Sequence, residues 1–367
     1  MNFKNEVLKK DEQVTYFLRS LYGSYGYSRF KMSKFEEYDL YVDNKDFLVS
    51  EGIITFMDND GKLLALKPDV TLSIVKNFQY EKGVCSKVYY NENVYRMDKE
   101  SKSFKEIVQA GLECIGDLSF YDVAEVLTLA AKSLNAISDN YVLEVSHLDV
   151  LSKLMKLTGA SETVKKELLK CISQKNLNGV ETICKENSVA EDITEALLAL
   201  VTSYGEPETV ISALKALKAA PVICEPLNEL SGIISCVNEC VNANIVIDFS
   251  AVNDMNYYNG IVFRGFIEGI SQGVLSGGRY DKLLNKLGKN AGAIGFAVYL
   301  DLLERFGEKN VKNDVDVLIL YDENTSPKKV FDTAQKLRTE NKSVICERMI
   351  PKKLVYGEIL NLTGAEA

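Results

Sequence analysis

Apolar residues in the first third of the chain repeat with two different periods. Between positions 11 and 26 they recur every three or four residues, which predicts an amphipathic helix that ends near Gly23 and Gly26. Helical spacing also predicts helices at 70–77 and 122–135. Stretches rich in β-branched and aromatic residues predict strands at 27–31, 53–57, 63–66, 84–96 and 104–115.

Polar connections join two pairs of these predicted strands. Residues 58–61, Asp-Asn-Asp-Gly, form an Asx/Gly turn, which favours a hairpin between 53–57 and 63–66. Residues 98–103 are polar and connect the two longest predicted strands. A short connection of this kind returns the chain alongside itself, so we predict an antiparallel pair.

The chain changes character at 150–243. This region is rich in Leu, Lys, Glu and Ala, and its apolar residues have helical spacing, so we predict an all-helical insert. After the insert, the pattern predicts two strands, a Gly-Gly turn and a Gly/Ala-rich segment that becomes helical: 245–252, 260–266, 277–278 and 291–305.

The last part of the chain has a small βαβ-like pattern. A strand at 315–321, a helix at 327–338 and a strand at 343–346 are predicted, and such a unit is too small to fold alone. An antiparallel strand core interrupted by helices predicts an α+β fold. We therefore divide the chain into a core, a helical insertion and an α/β tail: 1–149 with 244–309, 150–243, and 310–367.

The composition is typical of a globular protein and changes this picture little. The chain has 367 residues, of which 46% are hydrophobic and 26% charged, and its net charge of −9 argues against a broad basic surface for nucleic acid. Residues 1–11 lack the apolar segment of a signal peptide, and apolar stretches such as 196–201 are too short to span a bilayer. We expect a cytoplasmic location without membrane contact.

The cysteines do not predict a metal site. None of the 8 cysteines forms a Cys-x-x-Cys pair, and Cys236 and Cys240 share a helical face in a chain whose one histidine is His147. Zinc sites generally need four converging ligands, so we interpret the cysteines as small apolar residues in a reducing compartment. We expect no metal and no cofactor.

Three parts of the chain concentrate polar, aromatic and glycine residues: 66–71, then 95–96 with 106–113, and 256–260 with 277–281. Gly277 and Gly278 would allow a ligand to approach the backbone closely, although a plain turn is the alternative.

Four side chains in these segments are candidates for ligand contacts. Gln109 and Glu113 are four residues apart on a predicted strand, so both project from one face. Glu113 lies among apolar residues, where a buried carboxylate needs a cationic or N–H-bearing partner; a glutamate on a solvated face is the alternative. Tyr257 and Tyr258 would point to opposite faces of a strand, one to the core and one to a pocket, or serve packing alone.

The order and combination of these segments resemble histidyl-tRNA synthetase, a class II aminoacyl-tRNA synthetase. Residues 257–263, Tyr-Tyr-Asn-Gly-Ile-Val-Phe, and 277–281, Gly-Gly-Arg-Tyr-Asp, are similar to that family's two histidine-specific signatures. The resemblance extends over residues 8–305 and implies an antiparallel class II sheet flanked by helices. The other similar segments match the family's Leu-Arg-Pro-Glu-x-Thr segment, motif 2 and motif 3: 66–71, 88–116 and 293–303.

The resemblance implies a binding site for the amino acid histidine. Asp69, where the family has Glu, and Thr71 are expected to hold the α-amino group, with Gln109 against the main-chain groups. Glu113 is expected to accept from one imidazole nitrogen and the Tyr258 hydroxyl to meet the other, which rejects isosteres that lack these nitrogens. The full expected set, in which Tyr280 closes the pocket, is Asp69, Thr71, Arg96, Gln109, Glu113, Tyr257, Tyr258 and Tyr280.

The positions that serve ATP in the family differ in this chain. Asn253 replaces the histidine-specific catalytic arginine, Leu302 replaces the motif 3 arginine, and Tyr299 replaces a glycine beside the nucleotide. In motif 2 Arg96 is retained, but Arg-x-Arg-Gln-Phe has become Ser-Phe-Lys-Glu-Ile at 103–107. Adenylation develops charge that fixed cations must stabilise, and loss of one comparable contact costs roughly 10²–10³ in rate.

A histidine site without an adenylation site resembles the regulatory subunits of ATP phosphoribosyltransferase. The resemblance implies a non-catalytic chain that binds L-histidine as effector, and that enables and feedback-regulates a short-form catalytic subunit in the first step of histidine biosynthesis. It also implies a homodimer within a hetero-oligomer. Two alternatives are a divergent active histidyl-tRNA synthetase, in which Lys105 or Arg305 replaces the lost arginines, and a stand-alone histidine- or tRNA-binding module.

Overall fold

The computed structural model describes residues 8–48, 52–98, 101–250, 257–303, 306 and 313–363. The chain divides into two compact units, Met1–Phe306 and Gly307–Ala367. Within the described residues, no helix combines the length and the hydropathy that crossing a bilayer requires.

The first unit contains two sheets with helices around them. Its strands are β1 (Ser28–Arg29), β2 (Phe35–Glu37), β3 (Thr55–Met57), β4 (Leu63–Leu66), β5 (Cys85–Met97), β6 (Phe104–Gly116), β7 (Tyr141–His147), β8 (Tyr204–Gly205), β9 (Ile245–Asp248), β10 (Ile261–Ile267), β11 (Leu275–Arg279) and β12 (Gly292–Tyr299). Its helices are α1 (Lys10–Ser24), α2 (Tyr38–Val42), α3 (Thr71–Asn77), α4 (Phe120–Ile137), α5 (Leu148–Leu157), α6 (Glu162–Ser173), α7 (Leu177–Glu186), α8 (Glu191–Thr202), α9 (Pro207–Lys215), α10 (Ala220–Cys240) and α11 (Asp281–Lys286).

The large sheet has nine strands in the order β1-β5-β6-β12-β11-β10-β7-β9-β8. The strands from β5 to β7 in this order pair antiparallel, whereas β1 with β5 and β7 with β9 pair parallel. The longest pair is β5 with β6, in register from Cys85 opposite Gly116 to Met97 opposite Phe104. The predicted antiparallel core is therefore confirmed, although β7 was not predicted.

Side chains of the central strands alternate between two environments. Leu112 on β6, Phe296 on β12 and Phe263 on β10 are buried in the main core together with apolar residues of α4. Gln109 and Glu113 occupy alternate positions on β6 and so project from the opposite face. The prediction that Gln109 and Glu113 project from one face is therefore confirmed.

The small sheet has the order β2-β4-β3 and contains the predicted hairpin. The Asp58 carboxylate accepts the backbone N–H groups of Asp60 at 2.9 Å and Lys62 at 2.8 Å. Gly61 has a φ of +79°, a left-handed conformation that favours glycine. The β3–β4 hairpin is confirmed, and β2 adds a third strand that was not predicted.

The regular elements of the region 150–243 are helices joined by short connections, except for the strand β8, so the all-helical prediction is wrong at that position. Tyr204 of β8 lies opposite Asp248 of β9 in an antiparallel pair. A bare edge strand exposes backbone N–H and C=O groups, and this two-residue strand satisfies part of the β9 edge.

Three predictions near the end of the first unit are also wrong in whole or in part. Gly277 and Gly278 lie inside β11 and not in a turn. Glycine is needed at both positions because a side chain at either would overlap residues packed against the strand. The segment after 291 is mainly the strand β12, with a 3-10 turn at Leu300–Leu303, while 304–305 lie outside the described residues. The strand predicted at 245–252 ends at Asp248, and positions 251–252 lie outside the described residues too.

The second unit is a three-stranded parallel sheet with one helix. Its elements are β13 (Val315–Leu320), α12 (Pro327–Thr339), β14 (Val344–Glu347) and β15 (Tyr356–Asn361), and the strand order is β14-β13-β15. Val317, Ile319 and Ala334 form its small core. The predicted βαβ pattern is confirmed, and β15 extends it.

Gly232, inside α10, should be a site where a larger residue stabilises the protein. A Cβ atom there would lie 3.4 Å from the Phe120 ring, an ordinary contact, and alanine restricts the unfolded chain. Gly232→Ala is expected to raise the free energy of unfolding by about 0.5–1 kcal/mol in urea denaturation. Gly179→Ala in α7 is the matched contrast, since its Cβ atom would lie 2.7 Å from Asn176 and Cys171 side-chain atoms and should lower stability. A lower free energy of unfolding in Gly232→Ala would contradict the packing of Gly232 against Phe120.

Candidate functional site

A cavity of about 590 Å³ opens on the face of the large sheet that turns away from α4. Its volume lies in the range of small-molecule sites. Gln109 and Glu113 in its floor are only 3% and 2% exposed. All eight residues selected from the sequence line this cavity: Asp69, Thr71, Arg96, Gln109, Glu113, Tyr257, Tyr258 and Tyr280.

Glycines on adjacent strands form the floor beside Glu113. Glu113 on β6 lies opposite Gly295 on β12, which lies opposite Gly278 on β11. A Cβ atom at Gly295 would overlap the Glu113 carboxylate and the Leu112 carbonyl oxygen. A Cβ atom at Gly278 would lie 2.8 Å from Cδ1 of Tyr258. The glycines therefore leave the space that larger side chains from other elements occupy.

Two hydroxyl groups fix the carboxylate of Glu113. The Thr71 hydroxyl donates to Oε1 at 2.8 Å, and the Tyr280 hydroxyl donates to Oε2 at 2.7 Å. Burial raises the pKa of Glu113 to about 8; both hydroxyl hydrogen bonds oppose this rise, and the nearby Asp69 adds to it. The group is thus a positioned acid or base that a cationic ligand would convert fully to the carboxylate.

Asp69 combines a structural and an electrostatic contact at the start of α3. Its Oδ1 accepts the backbone N–H of Leu72 at 2.8 Å, and its Oδ2 lies 3.7 Å from Nη2 of Arg96. Arg96 also donates from Nε to the Pro68 carbonyl at 2.7 Å, which anchors its guanidinium. Burial raises the pKa of Asp69, whereas Arg96 lowers it.

Three tyrosines and Phe47 form an aromatic wall. The rings of Tyr257 and Tyr258 are 4.6 Å apart between centroids, and Tyr257 is 5.8 Å from Tyr280 and 6.0 Å from Phe47. Tyr257 and Tyr258 precede β10 and both line the cavity. The prediction that they point to opposite faces of a strand is wrong, because the local backbone is not extended into a sheet.

Several lining residues were missed from the sequence, and two of them stand out. Tyr90 on β5 is 2% exposed, and its burial, with the nearby Glu113, raises its pKa well above the usual range. Arg264 lies in β10 within an otherwise apolar strand, Ile-Val-Phe-Arg-Gly-Phe-Ile. A charged residue in an apolar strand was the available signal for Arg264.

A second cavity of about 260 Å³ lies on the side where the resemblance places ATP. Tyr299 and Leu302, two of the substituted positions, line it. Lys105 also lines it, and its Nζ is 2.6 Å from Oδ2 of Asp98. Burial raises the pKa of the Asp301 carboxyl, another lining group. Asn253 and Arg305 lie outside the described residues.

One group of potential metal ligands lies on the opposite face of β6. The ligand atoms of Cys85, Cys114 and Asp122 are within 4.8 Å of one another. The ammonium of Lys87 lies 3.5 Å from Asp122 and 2.6 Å from Glu125, so a cation already occupies this neighbourhood. A metal ion there would have to displace Lys87.

The raised pKa of the buried Glu113 predicts how the stability of the protein depends on pH. Its pKa rises from 4.5 to about 8 on folding, so the folded protein holds a proton that the unfolded chain releases. This group therefore stabilises the ligand-free protein fully below pH 4.5, and the contribution is lost as the pH rises to about 8. In chemical denaturation across this pH range, Glu113→Gln should lose less stability with rising pH than the wild-type protein does. Equal pH dependence of the two proteins would contradict the burial of an ionisable Glu113.

The sheet and its cavity define a protein with the class II fold of histidyl-tRNA synthetase. The family model named Histidyl-tRNA synthetase matches residues 3–303. A solved ATP phosphoribosyltransferase regulatory subunit/histidyl-tRNA synthetase from Bacillus halodurans C has a TM-score of 0.74 at 22% identity, covering 99% of this chain and 97% of that chain. A chain of the solved ATP phosphoribosyl transferase (HisG:HisZ) complex from Thermotoga maritima has a TM-score of 0.63 at 19% identity, covering 82% and 98%.

Sequence comparison gives a narrower assignment. The ATP phosphoribosyltransferase regulatory subunit of Clostridium kluyveri is 31% identical over 357 residues, which cover 92% of this chain and 89% of the relative. This chain therefore belongs to the histidyl-tRNA synthetase family, in the branch of the regulatory, and not catalytic, subunits of ATP phosphoribosyltransferase. The expected fold and family are confirmed.

Proposed function

We propose that this chain binds free L-histidine in the larger cavity, and that it both activates and feedback-regulates a short-form catalytic subunit of ATP phosphoribosyltransferase. The observation that carries the proposal is the Glu113 carboxyl group, held at the cavity floor by Thr71 and Tyr280. A buried carboxylate gains most from a ligand that supplies N–H donors or positive charge. Histidine supplies both.

The positions of the lining groups support a specific orientation of histidine. Glu113 accepts from one imidazole nitrogen, and the Tyr258 hydroxyl meets the other. Asp69 and Gln109 receive the α-ammonium group near the start of α3. Thr71 donates its proton to Glu113 and keeps lone pairs that accept from the same ammonium group. Tyr280 closes the pocket from its buried position.

The second cavity supports a binding role without adenylation. Adenylation requires fixed cations beside the α-phosphate and the pyrophosphate. Of the two cations in the described lining, Arg96 is held by Asp69 and the Pro68 carbonyl, and Lys105 pairs with Asp98. Leu302 and Tyr299 occupy positions where the family pattern has an arginine and a glycine. Glu106, on the same strand, adds a carboxylate whose pKa is lowered by hydrogen bonds from Asn93 and Tyr95.

Regulation requires that histidine have different affinities for two states of an assembly. The HisG:HisZ complex from Thermotoga maritima contains a chain of similar fold, which supports assembly with a catalytic chain. We further propose a homodimer of this subunit within the hetero-oligomer, in the cytoplasm and without a cofactor. In this proposal 1–149 with 244–309 form the histidine-binding core, 150–243 an insertion and 310–367 an anticodon-domain-like α/β tail.

Reconstitution with a short-form catalytic subunit tests the proposed function. Transferase activity should appear or rise strongly when this chain is added, and L-histidine should then lower it. Glu113→Gln should still activate but should respond to much higher histidine concentrations. Activation that is indifferent to histidine would defeat the feedback role.

Histidine-dependent exchange between ATP and pyrophosphate tests the alternative of an active synthetase. We expect no exchange above that of a protein-free control. Clear exchange would show that the chain adenylates histidine and would contradict the non-catalytic regulatory function. Histidine binding without any effect on a catalytic subunit would instead favour a stand-alone binding module.

A further inference from the structure

Two arginines and two carboxyl groups line the larger cavity among the described residues: Arg96, Arg264, Asp69 and Glu113. Arg96 is anchored beside Asp69 and on the Pro68 carbonyl oxygen. Histidine brings a carboxylate in addition to its imidazole and ammonium groups. The contacts proposed above assign no cation to that carboxylate. Arg96 belongs to the expected set but is held by Asp69 and Pro68, so Arg264 is the second described lining cation that can serve the carboxylate.

Arg264 lies across the floor from the groups assigned to the imidazole and ammonium. One row of the sheet runs from Tyr90 on β5 through Gly111, Ala297 and Ser276 to Arg264 on β10. The three residues between the ends of this row are small, so the floor is a shallow trough. The strands β6 and β10 are three spacings apart, about 14 Å, which places Arg264 on the far side of a ligand held at Glu113.

We propose that Arg264 binds the α-carboxylate of histidine and thereby selects the amino acid over imidazole ligands that lack a carboxylate. This inference rests on the proposed function and names a residue for its specificity. Arginine suits the task because its planar guanidinium can donate two parallel hydrogen bonds to one carboxylate. In this proposal the positive charge for the carboxylate comes from Arg264 on β10. The family pattern has an arginine at the position of Asn253, and this chain lacks that charge there.

A structural role of Arg264 must be separated from this binding role. Glu144 on β7 lies directly opposite Arg264, and the Arg264 charge lowers the pKa of Glu144, which burial raises. Arg264 could therefore stabilise the sheet through Glu144 alone. A measurement of fold stability does not distinguish the two roles, but a comparison of two ligands does.

Calorimetry with L-histidine and histamine provides that comparison, because histamine lacks only the carboxylate. Arg264→Gln is expected to weaken L-histidine binding by about 10- to 100-fold, the range for loss of a charge-assisted hydrogen-bonded pair. Histamine affinity should change by less than about twofold, within ordinary context effects on binding. Arg264→Lys should keep part of the preference for histidine, since it retains the charge without the planar fork.

Two control variants sharpen the experiment. Arg29→Gln removes an exposed arginine from β1 outside the cavity and should leave both affinities unchanged. Glu144→Gln removes the cross-strand partner and should leave the ratio of the two affinities unchanged. If Arg264→Gln weakened the binding of both ligands equally, or of neither, the assignment of Arg264 to the carboxylate would be overturned. Equal affinity of the wild-type protein for L-histidine and histamine would also overturn the assignment of Arg264, but not the histidine site. A wild-type protein that binds neither ligand would contradict the proposed function.

Discussion

Glu113→Gln is expected to weaken L-histidine binding by about 10- to 150-fold, or 1.5–3 kcal/mol, the range for a hydrogen bond to a charged group. Glutamine cannot provide the negative charge that complements an imidazolium. It also offers one acceptor oxygen in place of two, whereas Thr71 and Tyr280 each donate to a separate oxygen of Glu113. Calorimetry at pH 7 measures the loss directly.

Glu106→Gln is the matched control for this substitution. Glu106 lies on the same strand, β6, but is exposed and accepts from Asn93 and Tyr95. Its replacement should leave histidine affinity unchanged and should change stability by less than about 0.5 kcal/mol. Unchanged histidine affinity in Glu113→Gln would rule out this pocket as the histidine site.

Gly295→Ala is expected to abolish detectable histidine binding and to destabilise the protein by about 1–3 kcal/mol, the usual cost of overpacking. The added Cβ atom would overlap the Glu113 carboxylate and the carbonyl oxygen of Leu112. The carboxylate can rotate away only by leaving Thr71 and Tyr280, and the carbonyl oxygen belongs to the paired backbone of β6. Both the site and the sheet are therefore disturbed by one methyl group.

Gly273→Ala separates this steric effect from a general effect of alanine in the cavity wall. Gly273 also lines the cavity, but a Cβ atom there would lie 3.6 Å from the nearest atom. Thermal denaturation and calorimetry should show little change for Gly273→Ala beside large changes for Gly295→Ala. Similar behaviour of the two variants would contradict the close packing of Glu113 against β12.

The chemistry of the site was predictable only where it depends on local pattern or on matching motifs. Alternation along β6 is a property of any strand, so Gln109 and Glu113 could be placed on one face. The failures at Tyr257, Tyr258 and Gly277 have a common cause. Each local pattern was compatible with two backbone conformations, and contacts with distant residues selected between them.

The sequence by itself determined the long β5–β6 hairpin, the mostly helical region after it, and the residue types that a histidine ligand needs. These features depend on interactions within a few residues or across a short connection. Only the tertiary structure decided that Gly295 makes room for Glu113, that Thr71 and Tyr280 hold its oxygens, and that Arg264 lies across the same floor. Those relations join strands that are distant in the sequence, and packing of the whole sheet sets their register.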